Sequence, residues 1–286
     1  MSYSDYYWQM SEGKEQAKSE PPWHRYICEY YGVSSSEALK LGTRSNGRKP
    51  DLPGSVSCEP VNGMTMEEIW ALKPRDTMES VFDFYVDQGA WSAFRQTVRH
   101  LELKEMRKQL MSKIVSPGMH VCEYGCGIAP FSQTMLQSIP AAWNLDVSGT
   151  DVDKCEHYVY GQWVLDKIVE ERGLSEVKIH AHPAIPHQLP KYDKNIDVFI
   201  IFEVLEHVPS PTAVINNIIE QMSPNAILVE NFVKHEEKHL DPGPDLESAI
   251  DEREEFYKIV KENFRLLSDN PEESAPNGTR VWMRNN

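Results

Sequence analysis

Short apolar runs alternate with amphipathic segments through the second half of the chain. The apolar runs predict strands at about 119–123, 145–151, 177–181, 196–202 and 226–232. Amphipathic segments predict helices at about 130–138, 154–171, 211–221 and 247–262. Two final strands, at about 264–269 and 279–284, have no helix between them. This alternation predicts an α/β fold, with a mostly parallel sheet covered by helices on both faces.

The first third of the chain has a different pattern. A proline opens a predicted helix at 22–31, a capping box opens another at 65–72, and polar residues rich in Ser, Gly, Pro and Asn predict a loop between them. Apolar residues then recur at threes and fours over 77–113, which predicts helix with a break at Gly89. We therefore divide the chain into an arm and lid at 1–63, a helical segment at 64–113 and a core at 114–286.

Composition limits the classes of partner. The net charge of -15 and the lack of a basic run oppose binding to a phosphate backbone, which favours a small neutral or cationic partner over nucleic acid. Five cysteines form no CxxC pair, which predicts a reducing compartment and a cytoplasmic protein. No window approaches the roughly 18 apolar residues that a membrane span needs.

Three short motifs follow predicted strands. Glu123 precedes a turn with glycines at 125 and 127, and Pro130 suits the first turn of the helix that follows. Gly149, Thr150 and Asp151 end the next strand. The fourth strand leads into the sequence Phe-Glu-Val-Leu-Glu-His-Val-Pro, residues 202–209. A strand, a glycine-rich turn and a helix together direct backbone N–H groups at a polar ligand.

In this order, the three motifs resemble those of the class I S-adenosylmethionine-dependent methyltransferases over about residues 110–284. The resemblance implies a Rossmann-like seven-stranded sheet whose last strand is antiparallel. It also implies a cofactor-binding set of Glu123, Gly125, Cys126, Gly127, Asp151 and Phe202. In this set Asp151 holds the two ribose hydroxyls, and Cys126 is a small buried filler. Glu123 could instead cap its own turn.

Two further parts of the cofactor site are open at this stage. In the resembling family, the helix before the first strand closes over the methionine end of the cofactor, so Tyr85, Trp91 and Arg95 are candidates there. The family often has an acid after the third strand that binds adenine. Here that region holds His180 and His182, and no adenine-binding residue is assigned.

An acidic and histidine-rich set follows the fourth and fifth strands. Glu203, Glu206 and His207 could ligate a divalent ion, as in metal-using members of the family, and His239 fits the place of a fourth ligand. Without a metal, the glutamates and His207 could simply brace the loop. His239, His235 or Glu203 could then act as a general base in catalysis, or the segment around the two histidines could be a solvated charged loop.

Together these features predict an S-adenosylmethionine-dependent methyltransferase acting on a small-molecule acceptor, with a divalent metal as a further possibility. Three alternatives stay open. A nicotinamide dehydrogenase shares the glycine turn, but residues 203–209 and the final strand pair do not suit it. An RNA 2′-O-methyltransferase explains the Glu-x-x-Glu-His set, but the net charge opposes it. A non-catalytic protein that binds the cofactor to regulate a partner is the third.

Overall fold

A single seven-stranded sheet forms the centre of the molecule. The computed structural model describes residues 22–35, 37–38, 77–102, 104–232, 245–270 and 279–285. The strands are β1 His120–Tyr124, β2 Leu145–Thr150, β3 Val177–Ala181, β4 Ile196–Ile201, β5 Met222–Glu230, β6 Phe264–Asn270 and β7 Thr279–Arg284. Their order across the sheet is β3-β2-β1-β4-β5-β7-β6, and β7 runs in the direction opposite to the other six strands. The predicted Rossmann-like fold class, with its antiparallel last strand, is confirmed.

Helices cover both faces of this sheet. They are α1 Pro22–Tyr31, α2 Met78–Asp87, α3 Ala90–Glu102, α4 Lys104–Ile114, α5 Pro130–Leu136, α6 Glu156–Arg172, α7 Pro211–Gln221, α8 Glu247–Asp251 and α9 Arg253–Asn263. Alternate residues of the strands enter the two cores: Val121 and Val198 pack on one face, while Cys122 and Phe199 pack on the other. None of the described helices combines the length and apolarity that crossing a bilayer requires.

Two predicted boundaries differ from the structure for identifiable reasons. The helix predicted at 247–262 is divided at Glu252, whose carboxylate accepts hydrogen bonds from Ser210 and Thr212 at the start of α7. β5 begins at Met222 rather than near 226, because Met222 pairs with Ile196 of β4; an irregular stretch that includes Asn225, with a positive φ of 61°, then leads to the regular pairing from Ile227. The break at Gly89 is confirmed. The helix predicted at 65–72 lies outside the described residues.

The described part of the N-terminal region packs on the side of the core. The rings of Tyr26 and Tyr30 contact Trp163 of α6, with centroids 6.4 and 5.1 Å away. The Tyr31 hydroxyl donates to the Glu156 carboxylate at 3.0 Å. These contacts fix α1 to α6, whereas α2 supplies wall residues of the cavity described below.

Candidate active site

A cavity of about 310 Å³ lies where the carboxyl ends of β1, β2 and β4 meet. Residues that follow these strands form much of its wall, namely Gly125, Asp151, Val152, Glu203, Val204 and His207. Helix α2 adds an apolar and aromatic part through Val81, Phe82 and Tyr85. No lysine or arginine among the described residues lines it. The carboxyl edge of a parallel sheet is the usual place for a ligand, and this volume lies in the range of small-molecule sites.

The glycine turn, residues 125–129, reaches the cavity wall through Gly125 and is too tightly packed to accept side chains at its glycines. Gly125 and Gly127 have φ values of 60° and 53°, a region that disfavours residues with a Cβ. A Cβ on Gly125 would overlap Val204, and one on Gly127 would overlap the side chain of Gln96. The N–H of Cys126 donates to the Thr150 carbonyl at 2.9 Å, and its buried side chain fits the predicted role of filler. The turn thus joins the ends of β1 and β2.

Glu123 is buried and faces the start of α5. Its carboxylate accepts hydrogen bonds from the backbone N–H groups of Phe131 and Ser132, at 3.1 and 2.9 Å, and from the Ser132 hydroxyl at 2.8 Å. Burial raises the pKa of Glu123 to about 7, although these hydrogen bonds favour the charged form. This arrangement corresponds to the capping alternative, and a contact between Glu123 and the cofactor stays a prediction.

Asp151 lines the cavity and holds the glycine turn in place. One carboxylate oxygen accepts the Gly127 N–H at 2.6 Å, and the other accepts the Val152 N–H at 2.7 Å. A carboxylate offers about four lone-pair positions, so two backbone donors leave acceptor capacity on the cavity side. Asp151, the residue predicted to bind the ribose, therefore lies at the cavity wall, and its backbone partners fix its orientation.

Of the aromatic and basic candidates before β1, one lines the cavity. Tyr85 is on its wall, whereas Trp91 is 3% exposed within the core and Arg95 lies over the Trp91 ring at 5.7 Å. The apolar stripe of α3 draws Trp91 inward, which corrects the expectation for that residue and for Arg95. The residue that the sequence did not reveal is Gln96, which lines the cavity and accepts the Ile128 N–H at 3.0 Å. A glutamine interrupting an apolar helix face was the available signal.

The segment that follows β4, residues 202–210, is here called the β4 loop. It begins with Phe202, whose ring packs on Phe131 with centroids 5.2 Å apart. Glu203 comes next with a φ of 59°, which is costly for a residue with a Cβ. Asn231, just after β5, accepts the Glu203 N–H at 2.7 Å and donates to its carboxylate at 2.6 Å. This double contact fixes Glu203 on the cavity wall, and sequence reasoning missed Asn231.

Glu206 is a buried acid whose two carboxylate oxygens have no hydrogen-bond partner among the described residues. The nearest His207 ring nitrogen is 3.8 Å from one of those oxygens, and the other ring nitrogen is 3.8 Å from Asp245. Burial, reinforced by the charges of Glu203 and Asp245, raises the pKa of the Glu206 carboxyl well above its usual value. An unpaired buried acid beside a cavity marks a place where a ligand could add the missing partner.

The predicted metal ligands are brought near one another only in part. Glu203 and His207 share the cavity wall, and Glu206 is buried behind it. Within the described ranges, these three do not place three donor atoms within 4.8 Å of one another. His235 and His239 lie outside the described residues, so their roles as base or metal ligand stay predictions.

A different group of metal-binding residue types does converge among the described residues. Donor atoms of Asp151, Cys155 and His157 all lie within 4.8 Å of one another, and Asp151 and His157 reach the cavity wall. Sequence reasoning had treated Asp151 alone. The two histidines after β3 lie elsewhere: His180 pairs with Asp146 at 2.9 Å, and the His182 ring packs on Tyr192. The next residues, including Ala184 and Leu189, line the cavity instead.

Comparison with known proteins gives one family. The family model described as "Methyltransferase domain" matches residues 95–243, just over half of the chain. A search of the curated proteins finds no match.

Solved structures with a similar fold include two O-methyltransferases. The O-methyltransferase TomG from Streptomyces achromogenes, in complex with SAM, is 10% identical, and the alignment covers 65% of this chain and 81% of that one with a TM-score of 0.42. A putative O-methyltransferase from Klebsiella pneumoniae is 10% identical over 100% and 97% of the two chains, with a TM-score of 0.46.

A third neighbour is a putative rRNA-methylase from Clostridium thermocellum. It is 14% identical, the alignment covers 64% of this chain and 95% of that one, and the TM-score is 0.43. At such TM-scores none of these structures indicates a substrate for this chain.

Proposed function

The chain belongs to the methyltransferase domain family, as a class I S-adenosylmethionine-dependent enzyme, and we propose that it methylates a small-molecule acceptor within the cavity. The observation that carries the proposal is the composition of the cavity wall. It joins Gly125 and Asp151 on one side to Glu203 and His207 on the other, with aromatic residues of α2 between.

The cofactor half of this assignment rests on the glycine turn and Asp151. S-adenosylmethionine supplies a methyl group on a sulfonium, which a nucleophile can attack directly. Asp151 has acceptor capacity for two ribose hydroxyls, and Gly125 lines the cavity beside it without a side chain. Gln96 and Tyr85 line the same cavity and are our candidates for further polar contacts with the cofactor.

The acceptor half favours a small neutral or cationic molecule over RNA. Carboxylates of Asp151 and Glu203 line the cavity, no lysine or arginine of the described residues does so, and the chain carries a net charge of -15. A nucleic-acid acceptor needs positive charge to offset its phosphates. Phe82 and Tyr85 offer an aromatic surface that suits an apolar or cationic body.

The protein contributes alignment and a proton acceptor to the reaction. Its main task is to hold the nucleophile in line with the methyl group and to exclude water. Glu203 is the described candidate for general base, because Asn231 fixes its carboxylate at the cavity wall. Residues 1–63 would complete the acceptor side as a lid, and His235 or His239 would add a second base.

A divalent ion beside the methyl group is the second candidate feature. The unpaired oxygens of Glu206, next to His207 and Glu203, support it, because such an acid gains from a cation. Oxygen and imidazole ligands suit magnesium or manganese. With an ion at this place, chelator abolishes turnover and added manganese restores it. Glu203→Ala loses turnover, and added manganese does not restore it. Undiminished turnover in chelator would remove the metal from the proposal.

A transfer assay tests the choice of acceptor class. The full chain is incubated with methyl-labelled S-adenosylmethionine and, separately, with a library of small amines, phenols and carboxylic acids or with total RNA. We expect label in the small-molecule fraction and none in RNA, with the transfer reduced in Glu203→Gln. Label in RNA alone would overturn the proposal. The matched control is Glu255→Gln, an exposed residue of α9 outside the cavity lining, which should methylate normally.

A further inference from the structure

Helix α2 lines part of the cavity and is held differently at its two ends. Its C-terminal end is anchored, because Phe84 is 1% exposed in the core and the Tyr85 carbonyl accepts the Cys155 thiol proton at 3.1 Å. Gly89, with a φ of 54°, separates α2 from α3, so α2 is not held as part of a longer helix. The position of the N-terminal end therefore depends on its own contacts.

An exposed pair of side chains joins the N-terminal end of α2 to the segment that follows β3. Nε2 of His187 lies 2.7 Å from a carboxylate oxygen of Glu79, and the two side chains are 68% and 56% exposed. His187 lines the cavity, and so do Met78 and Phe82, which precede and follow Glu79 in α2. The pair thus connects two separate parts of the cavity wall.

The backbone of His187 has an unfavourable conformation. Its φ is 62°, in the left-handed region, which costs free energy for a residue with a Cβ. Strained backbone persists where surrounding contacts fix it, and it concentrates at ligand clamps and switch regions. The contact with Glu79 is such a fixing contact, because it holds the imidazole against another segment of the chain.

The side of α2 that faces the cavity is apolar. Met78, Val81 and Phe82 all line the cavity, and their spacing of three and four residues places them on one face of the helix. Met78 and Phe82 are only partly buried, so a ligand in the cavity removes more of their apolar surface from water. The N-terminal half of α2 therefore gains contacts when the cavity is filled.

We propose that residues 78–82 are a flap that closes over the ligands of the cavity, and that the Glu79–His187 pair holds the flap shut. This regulation rests on the proposed function, because the ligands are the cofactor and the methyl acceptor. An exposed pair of this kind shifts an equilibrium by only about twofold to fivefold. The flap can therefore exclude water during transfer and still open for product release.

A charge swap tests the pair through the rate of product release. Labelled S-adenosylhomocysteine is displaced by excess unlabelled compound from the full chain, from Glu79→Arg, from His187→Asp and from the double variant. We expect each single variant to release it about twofold to fivefold faster. The double variant should return to the wild-type rate, because aspartate tolerates a left-handed backbone and can pair with the arginine.

Glu255→Arg is the matched control. Glu255 is also 56% exposed and also pairs with a cation, Lys258 at 3.1 Å, but it lies on α9 outside the cavity lining. This variant should release S-adenosylhomocysteine at the wild-type rate. Arginine at position 79 also loses the favourable place of an acid in the first turn of α2, so the double variant decides. Failure of the double variant to recover, or an equal increase in Glu255→Arg, would overturn the proposal.

Amide hydrogen exchange separates this inference from the proposed function. Exchange is followed in the ligand-free protein for peptides from α2 and from α6. We expect faster exchange of α2 in Glu79→Arg, wild-type exchange in the double variant and unchanged exchange of α6 in both. Equal exchange of α2 in all three proteins would refute the flap. This pattern of exchange in a wild-type chain that does not bind S-adenosylhomocysteine would instead count against the proposed function.

Discussion

The two halves of the cavity are built in different ways. On the β1–β2 side, the glycine turn and Asp151 are held by backbone N–H groups, and the carboxylate of Glu123 has three donors. On the β4–β5 side, Glu203 has a left-handed backbone conformation, and both oxygens of the buried Glu206 carboxylate are unpaired within the part of the chain that the structure describes. The carboxylates of the first half have hydrogen-bond donors, whereas the Glu206 carboxylate of the second half has none among the described residues.

We relate this difference to two tasks, binding the cofactor and carrying out the chemistry that is particular to this enzyme. A turn completed by its own backbone can present the same surface to one constant ligand, which suits the cofactor. Strain and unpaired buried acids persist where the surrounding structure fixes them, and they concentrate at functional sites. We therefore assign the chemistry specific to this enzyme to the β4 loop and to Asn231, which holds Glu203.

The largest expected effect is on the affinity for the cofactor. Asp151→Ala removes the ribose acceptor and leaves the N–H groups of Gly127 and Val152 without their partners. We expect S-adenosylhomocysteine binding to weaken by about 1–3 kcal/mol, or roughly 5- to 150-fold, as measured by calorimetric titration. The control is Asp146→Ala, on the strand that Asp151 follows but paired with Lys194 and His180, which should bind normally. Unchanged affinity in Asp151→Ala would remove that residue from the site.

The next largest effect is a loss of turnover that leaves cofactor affinity nearly unchanged. Asn231→Ala frees the Glu203 backbone and carboxylate, so Glu203 no longer stays in its costly conformation. A misplaced catalytic group commonly lowers turnover by about 10-fold or more, and we expect that loss in kcat with cofactor affinity changed less than about twofold. Asn217→Ala, which loses only a bond to the Pro190 carbonyl, is the control. Equal losses in cofactor affinity and kcat would mean that the two halves do not act separately.

The smallest expected effects are changes in the free energy of unfolding when either of two buried glutamates is substituted. Glu230 accepts hydrogen bonds from Phe232, Trp282 and Tyr257, so Glu230→Gln should lower the free energy of unfolding by about 1–3 kcal/mol. Glu206 has no such donors, so Glu206→Gln should raise it by about 1 kcal/mol. Chemical denaturation at pH 7 measures both.

The pH dependence of the same variant gives the sign of the Glu206 effect. Because burial raises the pKa of Glu206 in the folded state, the folded protein holds this proton more tightly than the unfolded chain does. Its contribution to stability is therefore present at pH values below the unfolded pKa and is lost as pH rises towards the folded pKa. The advantage of Glu206→Gln over wild type should grow between pH 5 and pH 8. A constant difference across that range would contradict an unpaired acid.

The sequence predicted the fold better than the site, for physical reasons. Strand and helix periods, the proline of α5 and the glycines at 125 and 127 act locally, so they can be recognised in one chain. Gln96 and Asn231 act through contacts with distant segments, over Ile128 and Glu203. The interruption of an apolar helix face is the one local signal of Gln96, and nothing near Asn231 in the sequence indicates its contact with Glu203.

The cluster around His157 shows the same limit. Asp151 stood out because it ends a strand after Gly149, whereas Cys155 and His157 carry no motif. Their meaning depends on the paths of α2 and α3, which bring the Tyr85 carbonyl and the Ser92 hydroxyl to them. Such contacts between segments far apart in the chain become visible only in three dimensions.

The central claim is that the β1–β2 half of the cavity binds the cofactor of a methyltransferase. A calorimetric titration of the wild-type chain with S-adenosylhomocysteine, and in parallel with NAD⁺, tests it most directly. We expect a 1:1 complex with S-adenosylhomocysteine and no heat of binding with NAD⁺. Tight binding of NAD⁺ with none of S-adenosylhomocysteine would contradict it.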